Sequence, residues 1–85
     1  MDRVKDKVIV ITGAASGLGL ADARAFVSQG AKVVMTDIDA EAGHGHASDI
    51  GATFFTQDVS NEASWNELMG QIEQQFGRLD GLVNN

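Results

Sequence analysis

Residues able to do chemistry cluster first in the stretch Thr12-Gly13-Ala14-Ala15-Ser16-Gly17-Leu18-Gly19, which follows the unbroken apolar run Val8-Ile9-Val10-Ile11. The spacing Gly-x-x-x-Gly-x-Gly suits a turn from a strand into a helix that cradles phosphate. Gly13 permits a sharp exit from the strand, Gly17 lets a phosphate approach the backbone, and Gly19 brings the helix close to the sheet. The free N–H groups of the first helical turn, at the positive end of the helix dipole, then favour a pyrophosphate. That charge comes from the backbone, so no lysine or arginine is required. A tight strand-to-helix turn without a ligand uses the same glycines, and the glycines alone leave both readings open.

A second chemical position is Asp37, eighteen residues beyond Gly19 and directly after Lys32-Val33-Val34-Met35-Thr36. A carboxylate at the end of a second strand accepts hydrogen bonds from both hydroxyls of an adenine ribose and repels a 2′-phosphate. The alternative is a solvated aspartate capping the next helix, a task that Asp39 can perform instead. His44 and His46 form a His-x-His pair, but residues two apart on a helix do not share a face. No third ligand accompanies them, so they read as a solvated surface pair with no metal.

Alternating strands and helices must position these groups. Strand one is expected at 7–12 and helix one at 17–29, with Ala21 and Ala25 lying close on the sheet and Gly30 ending the helix. Strand two spans 32–36 and ends at Asp37. Helix two, about 40–49, is weak because Gly43 and Gly45 each cost about 1 kcal/mol against alanine. Strand three covers 52–57 and ends at Asp58-Val59. Ser60 is the expected N-cap of helix three, with Glu62 in its first turn. Trp65, Leu68, Met69, Ile72 and Phe76 follow at helical spacing and form a core stripe, with Gly77 closing the helix. Asp80-Gly81-Leu82-Val83 begins a fourth strand. The βαβαβαβ alternation implies right-handed crossovers and a parallel sheet of order 3-2-1-4, the first half of a doubly wound Rossmann-type α/β fold.

Composition narrows the function classes. The chain has 85 residues, room for one small domain at most, whereas a parallel α/β sheet normally needs more. It contains no cysteine, which removes disulfides and thiolate metal sites. Twelve acidic against six basic residues give a net charge of −6, and the scattered basic residues argue against nucleic acid as a partner. No apolar run approaches the ~20 residues of a membrane span, and Met1-Asp2-Arg3-Val4-Lys5 lacks a signal-peptide core. A cytoplasmic protein without a membrane partner is therefore expected.

Thr12-Gly13-x-x-x-Gly17-x-Gly19 closely resembles the cofactor motif of the short-chain dehydrogenase/reductase family, and the resemblance extends over the whole chain. It implies an oxidoreductase that moves a hydride between a nicotinamide cofactor and a small alcohol or carbonyl substrate, typically as a homo-oligomer. Ser16 and Ile38 fall where relatives using the phosphorylated cofactor carry a basic residue, so with Asp37 they point to NAD. Asp58-Val59 matches the family pair that brackets adenine: the carboxylate meets the exocyclic amine and the next N–H a ring nitrogen. Asn84-Asn85 resembles the opening of Asn-Asn-Ala-Gly, whose second asparagine lies beside the cofactor ribose. The implied cofactor residues are Thr12, Gly13, Ser16, Gly17, Leu18, Gly19, Asp37, Ile38, Asp58, Val59 and Asn85.

The family's proton-transfer groups do not carry over. They are a tyrosine, a lysine four residues later, an upstream serine and a further asparagine; this sequence has no tyrosine. Its five lysines and arginines other than Arg78 fall before residue 33, in places unlike that motif. Residues 1–85 therefore read as the amino-terminal part of a single NAD-binding Rossmann domain, ending inside a strand and inactive alone; the bare outer edge of strand four is expected to make the isolated chain aggregate, self-associate or pack loosely. The alternatives are a non-catalytic nucleotide-binding or regulatory module and a truncated product without independent function.

Overall fold

The computed structural model describes residues 4–85, so Met1, Asp2 and Arg3 of the charged lead-in lie outside the described residues. The elements are β1 (Val8–Ile11), α1 (Gly17–Ser28), β2 (Lys32–Asp37), α2 (Ala40–Ile50), β3 (Thr53–Thr56), α3 (Glu62–Phe76) and β4 (Gly81–Val83). All strand pairs are parallel, in the order β3-β2-β1-β4. Ile11 lies opposite both Met35 and Val83, and Met35 opposite Phe54. The doubly wound α/β expectation is met, with the strand order reversing between β1 and β4.

β1 is apolar throughout because helices cover both of its faces. Ile9 and Ile11 join Ala23, Val33, Met35, Ala47 and Phe54 in one core cluster beneath α1 and α2. Val8 and Val10 turn the other way, to Val34, Leu68 and Ile72 under α3. The stripe on α3 is core as expected, and Trp65 adds a tether by donating its indole N–H to the Val59 carbonyl at 2.8 Å. Asp80 fastens the entry to β4: its carboxylate accepts from the Val8 N–H at 2.8 Å, and its own N–H donates to the Val8 carbonyl at 2.9 Å. The Arg78 guanidinium also holds the Asp80 carboxyl below its ordinary pKa, ahead of the Val8 amide bond.

Three local expectations are corrected. On α1 the residues against the sheet are Gly19 and Ala23, whereas Ala21 and Ala25 are exposed. The N-cap of α3 is Asn61, whose side chain accepts from the Ser64 N–H at 3.2 Å. Ser60 is held instead by Asp58, which accepts from both its N–H and its hydroxyl. Helix α2 is continuous, and Gly43 is a packing residue: a Cβ there would overlap the Phe54 ring. Among the described residues, no helix is long and apolar enough to cross a membrane.

Gly43 and Gly45 therefore have opposite roles. In the full gene product, Gly43→Ala should destabilise by about 1–3 kcal/mol through overpacking against Phe54. Gly45 faces open space, so Gly45→Ala should stabilise by about 1 kcal/mol through helix propensity. Urea unfolding of the two variants checks the pair, and equal shifts would refute the packing role. A polypeptide of these 85 residues alone should self-associate, because the outer edge of β4 is unpaired among the described residues and Leu79 and Leu82 are exposed beside it. Sedimentation velocity tests that, a compact monomer being the contrary result.

Candidate functional site

The glycine turn takes the shape its spacing requires. Gly13 and Gly17 have φ of 61° and 58°, a region that side-chain-bearing residues rarely adopt. Gly19 is required for a different reason: a Cβ there would overlap the carbonyl of Gly13. The turn is fixed by the Ala14 N–H, which donates to the Thr36 carbonyl at 3.0 Å.

Helix α1 differs from its neighbours at its start. Ser16 occupies the N-cap position with no side-chain hydrogen bond, and no acidic residue falls in the first turn. By contrast, α2 is capped by Asp39 with Glu41 behind it, and α3 by Asn61 with Glu62. The amides of the α1 first turn are thus left to an external acceptor, with no acidic side chain of the helix itself to meet its dipole there.

Asp37 stands beside this turn. One carboxylate oxygen accepts from the Ala15 N–H at 3.0 Å and the other from the Asp39 N–H at 3.1 Å. These bonds aim the carboxylate at the carboxyl ends of β1 and β2, where open α/β sheets bind ligands. Asp58, at the end of β3, is lowered below its ordinary pKa by bonds from the Ser60 hydroxyl and then the Ser60 amide. It is an ionised acceptor at neutral pH.

These groups converge on one cleft of about 170 Å³, lined by Gly13, Asp37, Ile38, Asp58, Val59 and Asn85 together with Gln57. Ile38 and Val59 are exposed aliphatic residues on its wall. Ser16, Gly17 and Leu18 lie outside that lining, exposed at the start of α1, with Leu18 78% accessible. Gly19 is buried against the turn. Thr12 is fully buried and acts on the chain itself. Its hydroxyl accepts from the Asn85 N–H at 3.1 Å and donates to Asn84 Oδ1 at 2.9 Å, while Asn85 Nδ2 donates to the Thr12 carbonyl at 3.0 Å. Thr12 thereby holds Asn85 at the cleft.

Gln57 was not among the expected site residues. Strand alternation offers the signal, since it falls two positions beyond Phe55 and shares that face. A wider depression of about 520 Å³ runs beside Asp39, Glu41, His46 and Asp49 on α2. Its carboxylates repel a pyrophosphate, and no group of three or more metal-ligating side chains occurs among the described residues. His44 instead packs edge-on against Phe54, with ring centres 4.7 Å apart.

The sequence model described as short chain dehydrogenase matches residues 7–85. An NADP-dependent (R)-specific alcohol dehydrogenase of Lentilactobacillus kefiri is 44% identical over 88 residues, covering 99% of this chain and 35% of its own length. A 3-beta-hydroxysteroid dehydrogenase of Comamonas testosteroni is 40% identical over 86 residues, covering 99% of this chain and 34% of its own. The chain thus spans about a third of the length of these relatives. The crystal structure of a short chain dehydrogenase from Mycobacterium smegmatis superposes with a TM-score of 0.93 at 29% identity, covering all of this chain and 38% of that one. With a family match over nearly every residue, and the glycine turn and strand order to accompany it, the chain belongs to the short-chain dehydrogenase family.

Proposed function

We propose that these residues form the NAD-binding part of an oxidoreductase that interconverts an alcohol and a carbonyl compound. The observation that carries the reading is the uncapped start of α1, opening beside a cleft that holds Asp37 and Asp58. When bound, NAD supplies hydride acceptance at its nicotinamide ring, and NADH hydride donation. The first-turn amides of α1 take the pyrophosphate, with Gly17 keeping a side chain out of its way and Gly13 and Gly19 shaping the turn that presents those amides. Asp37 accepts from the adenine ribose hydroxyls, and Ile38 and Val59 flank the adenine. Asp58 accepts from the exocyclic amine, and Asn85 stands by the second ribose. The chain has no tyrosine, so these residues bind and orient, and the proton transfer expected for the family falls outside them.

NAD preference rests on charge. Asp37 repels a 2′-phosphate, and neither Ser16 nor Ile38 offers a compensating cation. The relative from L. kefiri is named as NADP-dependent, so family membership does not decide the matter. Calorimetric titration of the full gene product should show NAD bound about tenfold or more tightly than NADP. Asp37→Ala should narrow that gap. Equal affinities, or tighter NADP, would refute the preference. The 85-residue polypeptide alone should show no NAD-dependent alcohol oxidation, and turnover in a preparation free of host enzymes would overturn that expectation.

A further inference from the structure

Among the described residues that line the cleft, Gln57 is the one with buried side-chain polar atoms that lack a hydrogen-bond partner. It is only 2% exposed, yet neither Oε1 nor Nε2 has a hydrogen-bond partner among the described residues. Leaving both ends of a buried amide unmade costs about 1–3 kcal/mol per group, so such a side chain calls for a partner. Its backbone is firmly placed, the Gln57 N–H donating to the Asp37 carbonyl at 3.0 Å. No hydrogen bond holds its side-chain amide among the described residues, and the residue lines the cleft beside Asp58 and Val59. The Thr36 hydroxyl, on the neighbouring strand, is also buried without a partner and does not take up the amide.

We propose that Gln57 is a specificity-determining residue that reads adenine from its N7 side, Oε1 accepting from the exocyclic amine and Nε2 donating to N7. This deepens the dinucleotide reading above and rests on it. Adenine offers two amine hydrogens and, at N1 and N7, two acceptors flanking the amine. Asp58 takes one amine hydrogen and the Val59 N–H takes N1. The hydrogen and acceptor that remain form the pair that a glutamine amide matches with two bonds at once. Gln57, Asp58 and Val59 are consecutive and line the same cleft.

Calorimetry on the full gene product with NAD and with its 7-deazaadenine analogue tests this. The analogue replaces N7 by C–H and keeps the amine. The unsubstituted protein should bind it about tenfold more weakly, the size of one buried hydrogen bond. Gln57→Met, which keeps the volume and removes both polar atoms, should bind the two dinucleotides equally. Circular dichroism and melting establish that the variant folds; if it does not, the unsubstituted protein's comparison decides alone. Equal binding by the unsubstituted protein, or a difference that persists in Gln57→Met, overturns the role of Gln57 and leaves the dinucleotide site standing. Binding of neither dinucleotide overturns both.

Discussion

The first turn of α1 presses on the Gly13 carbonyl so closely that no side chain fits at position 19. That contact sets where the helix begins relative to β1. From it follow the direction of the helix's free amides, the positive φ at Gly13 and Gly17, and the proximity of the turn to the end of β2. A sheet buried on both faces supplies the rigidity that such a contact needs. Val10, Ile11, Val34 and Met35 are all inaccessible to solvent, so the strand ends that carry the site have little room to shift.

Polar ties then convert this frame into a cleft. Thr12 is an interior brace that seats Asn85, and Asp80 locks the start of β4 to the start of β1. Neither brace carries a charge at the cleft. The charged groups there are Asp37 and Asp58, each held by backbone N–H donors at a strand end. Positive potential comes only from amides and the α1 dipole, which suits a ligand that is anionic at its middle and rich in hydroxyl and amine donors at one end.

Most of this architecture was legible because its signals are redundant. Val8 to Ile11 and Val33 to Met35 are apolar on both faces, and the α3 stripe repeats over about three turns. What misled were signals with a close competitor. Gly19/Ala23 and Ala21/Ala25 have the same four-residue spacing on faces about half a turn apart, and small residues on both hide which one is buried. Ser60 and Asn61 are adjacent cap formers, and Asp58 captures the first. Gly43 looked like a helix breaker because its partner, Phe54, lies on another element. Gln57 looked like the polar end of a strand, and only burial set it apart from its exposed neighbours Thr56 and Asp58.

The bond from the Ala15 N–H to Asp37 has a consequence for redesign of this protein. The carboxylate that would choose between dinucleotides is also a strut of the loop that would hold their shared pyrophosphate. Charge reversal at position 37 would remove a repulsion and unfasten the loop in one step. Converting cofactor choice is then a problem in two parts, a new cation for the 2′-phosphate and a new acceptor for the Ala15 amide. A side chain at position 38 or 16 can answer the first part while Asp37 stays to serve the second.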